Sequence, residues 1–395
     1  MAVSKWSDDA FLDTLKAQGD QRADQTVAEL DGQGELRAAT LIFRQIQFDA
    51  PALPADAPAP LKRFWEATQK LPAGVDMDRI ARGQAAFMRH VFEIGSLLLT
   101  RSLPAGYAAP RLSRTLMLSG DLDTHTWRRV LAVVQLLVEI GGGNGFQDGG
   151  SSTVAAQKMR LMHAGVRLIA RRRLPEFGAE HPEMGSPVSK EDMLGTLMGF
   201  SYLPIDSLRR ISRDLPDQDA EDIYYLWQVF GVMMGIHPPR VDPQSEPSFE
   251  YIPANLDEAA TFYASYGRRN YVTADRNPDG AQLAAADLRM MKQLIPRSLR
   301  LLGCGHLPRL LIQEALKPPA MALVGLRAWP APLYGLLKLV YLDLPILVDR
   351  VLHNLTPNRQ GYFAGIILRK LVRIGRGGEA SFFIPDSVAA LKALG

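Results

Sequence analysis

The residues in this chain with the most to offer chemically lie on one stretch, Ala156 to Arg173. His163 stands there beside an apolar stripe of Val154, Met159, Met162, Val166 and Ile169, whose spacing of three to five residues predicts an amphipathic helix. Arg160, Arg167 and Arg171 follow at intervals of seven and four and so share a face, roughly 60° round the helix from the histidine at 100° per residue. A neutral imidazole in an apolar wall, with cations one turn away, would suit an anionic metal macrocycle: the metal takes the imidazole and the carboxylates take the arginines. The same residues also fit a core histidine hydrogen-bonded to a carbonyl beside a solvated basic face.

Other familiar chemistry is missing. No GxSxG elbow, HExxH, EF-hand loop, GxxxxGK[ST] or strand-linked GxGxxG occurs, and no two histidines stand four apart. The glycine-rich GGGNGFQDGGSS at 141–152 follows no strand, so it reads as a connection leading to the His163 helix, with Ser151, Ser152 or Thr153 as its cap. Glu139 lies in the last turn of the preceding helix, where the helix dipole disfavours a carboxylate; it reads as a surface ion pair.

The elements that position these residues all read as helical. Segments predicted as helices include about 23–48, the long 77–103, Tyr107–Gly120, Thr124–Ile140 and Asp219–Met234, the last stopped by Gly235 and Pro238. Ser189 with Asp192 forms a variant capping box at the start of another. ALPADAPAPLKRF reads as a turn or strap. Period-2 runs are short and no βαβ alternation occurs, so the fold class is all-α, a single large helical domain of about ten helices or more. Residues 1–76 form a peripheral N-terminal helical extension and 77–395 the principal domain.

The chain's 395 residues can bury a large core. The net charge of +3 gives no argument for nucleic acid, and no nucleic-acid-binding motif accompanies it. Cys304 is the single cysteine, which excludes an internal disulfide and fits a reducing cytoplasm. The polar start MAVSKWSDDAFLDTL lacks a signal-peptide core, and no apolar run is long enough to cross a membrane. Arg369, Lys370, Arg373 and Arg376 give the apolar C-terminal third a basic edge, either solvated or in peripheral contact with anionic lipid.

RLMHAGVR (160–167), together with TWRRVLAVVQLL (126–137), SPVSKEDMLGTLMGFSYL (186–203) and YYLWQVFGVMMGI (224–236), resembles the MpaB-type oxygenase and latex-clearing-protein family, in that order and spacing. The resemblance implies a globin-like core that binds haem b. It also implies an oxygenase that uses O2 to cleave a carbon–carbon double bond of an apolar isoprenoid or terpenoid-like substrate. In those terms His163 becomes an axial iron ligand and Glu139 a base near the oxygen site. Arg160 and Arg167 become partners of haem carboxylates or of bound oxygen, with Arg128 and Arg129 as weaker candidates. The rubber-cleaving branch carries its proximal histidine on the following helix, near 196–200 here; this chain has none there, and Met198 is the nearest candidate ligand, unless it simply fills the core. Two further readings stand: a helical carrier of a lipid or terpenoid without iron, and a haem protein with peroxidase-like or sensing activity.

Overall fold

The computed structural model describes residues 4–45, 53–118, 122–177, 181–210, 215–239, 247–295, 297–301 and 303–343, with the side chains of 43–45, 122–131, 299 and 342 left aside. No strand occurs among the described residues, and the fold is all-α. The N-terminal helices are α1 (Asp9–Ala17), α2 (Gln21–Gly32), α3 (Leu36–Gln45) and α4 (Ala59–Thr68). Then come α5 (Met77–Arg89), α6 (Val91–Leu97), α7 (Leu103–Gly106), α8 (Pro110–Met117), α9 (Leu122–Gly141) and α10 (Ser151–Arg173). The chain continues through α11 (Lys190–Phe200), α12 (Tyr202–Arg210), α13 (Asp217–Met233), α14 (Leu256–Asn270) and α15 (Pro278–Leu294). It closes with α16 (Arg297–Leu301), α17 (Leu307–Leu323) and α18 (Ala331–Lys338). The basic C-terminal edge lies outside the described residues.

Several boundaries differ from those the sequence suggests, each for a local reason. The helix expected over 23–48 is two helices, because the chain turns at Gly34 with φ +70, a conformation glycine adopts without strain. The expected Pro/Ala strap runs into α4, with Pro58 as its N-cap and Pro60 inside its first turn, where a missing N–H costs nothing. The long helix from Met77 breaks at His90, half-buried with φ −114 and ψ 14, and then contains a π-turn over Leu98–Ser102. α10 is preceded by Gly150, with no side-chain cap from the serines. Lys317 leaves the helical region inside α17 because Pro318 follows it.

Two of the molecule's hydrophobic cores flank the His163 helix. The larger joins α5, α6, α10, α11, α13 and α14 around Trp227, whose ring meets Phe87, Phe200 and Phe230 at centroid distances of 6.2, 5.3 and 5.9 Å. α5 and α13 pack closely enough that a Cβ on Gly83 would lie 2.4 Å from the Asp222 carbonyl. The second core joins α2, α3 and α4 to α10 through Val27, Leu30, Phe64, Trp65, Val154 and Leu161. Trp6, Leu12 and Leu15 from the N-terminus enter the first core. The N-terminal extension thus supplies part of the molecule's interior and covers one face of the His163 helix. No helix among the described residues is long and apolar enough to cross a membrane.

Candidate active site

α10 is buried along nearly its whole length, including the charged Lys158, Arg160 and Arg167. Apart from Ser151, Leu168 and the exposed Arg171, Arg172 and Arg173, the exception is one stripe: Met159, Met162, His163 and Val166, at successive helical spacings, are only half-buried. His163 Nδ1 is sealed from solvent and has no hydrogen-bond partner, although the ring as a whole retains some exposure. Burial, reinforced by the Arg167 charge and partly opposed by Asp20, pulls the imidazole pKa down to about 4. The ring is therefore neutral near pH 7, the form that offers a lone pair to a metal.

The arginines beside it are already partnered, by carboxylates of the N-terminal extension. Arg160 makes a two-pronged contact with Asp20: Nε donates to Oδ2 at 2.6 Å and a terminal nitrogen to Oδ1 at 3.0 Å. Another terminal nitrogen donates to the Met233 carbonyl at 3.3 Å. Asp20 also caps α2 by accepting from the Ala23 amide. Burial alone would raise its pKa; Arg160, with help from Arg167, outweighs that and holds the carboxyl well below the usual range. Arg167, wholly buried, donates through Nε to Asp24 Oδ1 at 2.5 Å and through a terminal nitrogen to the Val188 carbonyl at 3.2 Å. Its other terminal nitrogen is buried without a partner. Gly235, at φ +87, ends α13 against this cluster; a Cβ there would lie 2.8 Å from Asp20 Oδ2.

Lys190 and His237 complete the polar cluster. Lys190 Nζ donates to Gln18 Oε1 at 3.1 Å and to the His237 carbonyl at 2.5 Å, and burial lowers its pKa to about 8. His237 is also drawn down to about 4, by burial and then by Arg160; its Nδ1 lies 2.8 Å from the Pro238 carbonyl. Ser189 and Asp192 form the expected capping box at the start of α11.

The other residues of interest lie elsewhere. Glu139, half-buried in the last turn of α9, is contacted by Gln135, and its carbonyl accepts from Ser152 Oγ at 2.9 Å. Met198 is fully buried, with its sulfur 4.0 Å from the Tyr224 hydroxyl, in the Trp227 core. The Arg128 and Arg129 side chains lie outside the described residues, on a helix whose backbone packs beside α10.

α11 turns another face to an apolar cavity of about 150 Å³. Gly195, Thr196, Gly199 and Phe200 line it, and so do Ser102 of the π-turn and Tyr263 of α14. The 196–200 segment, where the resemblance puts a proximal ligand, thus borders this cavity, while Met198 points into the core. His163 is not among the lining residues.

Comparison with known proteins settles the family. The sequence pattern described as "ER-bound oxygenase mpaB/B'/Rubber oxygenase, catalytic domain" matches residues 88–340, well over half the chain. The chain belongs to this family. It is 28% identical over 244 residues to the rubber oxygenase of Streptomyces sp. (strain K30), a match covering 61% of this chain and 56% of that relative. The match thus spans little more than half of the relative's length. In fold it is similar to latex clearing protein LCP, solved in the closed state, with a TM-score of 0.73 at 23% identity over 94% of this chain and 95% of that one.

Haem can be tested against the residues present. His163 fits an iron ligand: it is neutral, and a buried ring nitrogen without a partner leaves a hydrogen-bonding group unsatisfied. Arg160 and Arg167 fit as its electrostatic surroundings, since Asp20 and Asp24 hold their guanidinium groups. Those aspartates, with Lys190, are the neighbours of the arginines that the sequence did not reveal. Asp20 and Asp24 stand one turn apart and Arg160 and Arg167 two turns apart, so spacing alone does not pair them.

Proposed function

We propose that this protein is a haem-b-dependent oxygenase that uses O2 to cleave a carbon–carbon double bond in an apolar isoprenoid or terpenoid-like substrate. The observation that carries this reading is His163, a neutral, half-buried imidazole with an unpartnered buried nitrogen on the family's signature helix. Membership of an oxygenase family supplies the reaction class, and the Streptomyces relative, named a rubber oxygenase, supplies the substrate class.

Haem, when bound, supplies a reducible iron at which dioxygen can be activated. The protein's own residues would do the rest. His163 would hold the haem iron through its ring nitrogen, which burial and the Arg167 charge keep unprotonated. Arg160 and Arg167 hold positive charge beside it, and their pairing to Asp20 and Asp24 fixes α10 against α2. Burial of these groups lowers the local dielectric, so each charge near the ring acts more strongly than it would in water. The cavity beside α11 excludes water from an apolar substrate.

The carrier reading draws on the same cavity, which is apolar and contains no histidine. Product analysis separates the two. The haem-loaded protein, incubated with isoprenoid alkenes under O2, should yield aldehyde or ketone fragments incorporating label from 18O2. Intact alkenes recovered bound to the protein, with no carbonyl product, would support the carrier and contradict the oxygenase.

A further inference from the structure

The last described helix is built inside out. α18, APLYGLLK, contains three leucines and has no buried residue. Its polar tips face the protein: the Tyr334 hydroxyl donates to Glu314 Oε2 on α17, and Lys338 Nζ lies 3.3 Å from Glu314 Oε1. Tyr334 and Lys338 stand one turn apart and so share a face. Leu333, Leu336 and Val340 recur at spacings of three and four on the other side, and with Leu339 they are 44–59% exposed. Leu301, at the end of α16, is 89% exposed and joins the same surface. A Cβ on Gly303 would lie 2.5 Å from the Tyr341 hydroxyl, so this part of the chain meets the π-turn Leu339–Asp343 that continues α18. Six of the nine large apolar side chains exposed among the described residues fall between Leu294 and Val340. Apolar surface gathered in one region marks an interaction site.

Charge says what this surface meets. Residues 289–343 carry eight Lys and Arg against two acidic residues, Glu314 and Asp343, whereas residues 1–288 carry 30 against 37. The exposed Arg297 and Arg300 precede Leu301 on α16. Arg327 is exposed two residues before Trp329, whose ring centroid lies 5.0 Å from the Arg309 guanidinium. A second copy related by a two-fold axis would set these cations against their own images. Residues 344–395, with seven Lys and Arg against three acidic residues, would add to the positive charge if they covered the face. A layer that is anionic at its surface and apolar beneath complements both features.

We propose that α18, the π-turn after it and Leu301 form a docking face for an anionic phospholipid surface. The leucines enter the acyl boundary, and Arg297 and Arg300 meet the headgroups. Glu314 is the positioning residue: through Tyr334 and Lys338 it ties the polar side of α18 to α17, which keeps the leucines turned outward. The face rests on the membrane, since no helix among the described residues is long and apolar enough to cross it. Vesicle binding needs no haem, so it is tested apart from the oxygenase reading.

The test is co-sedimentation of the full-length protein with vesicles of phosphatidylcholine alone and of phosphatidylcholine with about one third phosphatidylserine, at about 0.1 M salt. The wild type should bind the mixed vesicles at least about tenfold more tightly, and lose most of that preference at about 1 M salt. Leu336→Ser with Val340→Ser should weaken binding to both vesicles about tenfold. Arg297→Glu with Arg300→Glu should weaken only the mixed vesicles, by about twentyfold. Leu301→Ser is the second apolar variant, at a side chain too exposed to matter to the fold. No binding by the wild type, equal binding to the two compositions, or variants that bind as the wild type does would overturn the proposal. So would a dimer in light scattering that Leu336→Ser converts to monomer, because a second copy would then cover the face.

Discussion

Two neighbouring helices, α10 and α11, divide the chemistry of this protein differently. α10 is studded with charge: its buried arginines are each matched to an aspartate from the N-terminal extension, around one neutral histidine. α11 carries its charges only in the first turn, at Lys190, Glu191 and Asp192; beyond that it offers glycines and apolar side chains to the cavity and the core. The difference teaches where polar groups are affordable. Arg160 and Arg167 persist buried on α10 because each has an aspartate partner at α2, and beside α11 Gly195 admits the Tyr266 ring while Gly199 leaves space along the apolar cavity.

Breaking a pair on the α10 side should have the largest effect. Arg160→Met leaves the Asp20 carboxylate buried without its partner and should destabilise the fold by about 3–5 kcal/mol, measured by chemical denaturation. The double variant with Asp20→Leu should recover most of that loss. No recovery would mean that the pair does not join α2 to α10.

The pH dependence belongs to the same side. His163 and His237 are both held at about 4, below the ordinary 6.5, because burial disfavours the imidazolium. A lowered folded-state value means that the unfolded chain binds the proton first as pH falls. Stability is then fully present above about 6.5 and is lost progressively between about 6.5 and 4, by at most about 3 kcal/mol per histidine. The lowered Asp20 carboxyl acts in the same direction at more acid pH, its contribution present above the ordinary carboxylate value and lost below it. Denaturation midpoints of the haem-free protein at pH 7.5 and 5 check this, and His237→Gln should flatten the slope. A midpoint that rises on acidification would contradict the assignment.

On the α11 side the prediction is steric. A Cβ on Gly195 would lie 2.6–2.9 Å from carbons of the Tyr266 ring, so Gly195→Ala should cost about 1–3 kcal/mol despite alanine's better helix propensity. A stabilised variant would show that the ring can yield. The smallest effect should come from the surface: Arg209 pairs with an almost fully exposed Asp217, and Arg209→Ala should change stability by less than about 0.5 kcal/mol.

How far the sequence could be read follows from which forces are local. Helices with a capping box, such as the one begun by Ser189 and Asp192, were legible because the signal lies within four residues. The break at Gly34 and the helix after Pro58 were not, because a glycine inside a helical pattern and prolines near a helix start can each be read two ways. The family was legible from the order of four motifs. The partners of Arg160 and Arg167 were not, because Asp20 and Asp24 are more than a hundred residues away and no local rule links them. Nor did periodicity separate Met198 from the cavity, since it places a residue on a face without saying what that face meets.

The most direct test of the central claim is the UV–visible spectrum of the protein expressed with ample haem and iron, recorded oxidised and reduced, for the wild type and His163→Ala. A Soret band in the wild type that is abolished or shifted in the variant is the expected result, with circular dichroism confirming that the variant remains helical. A Soret band unchanged by the substitution would contradict His163 as the iron ligand, and a wild type with none would contradict the haem itself.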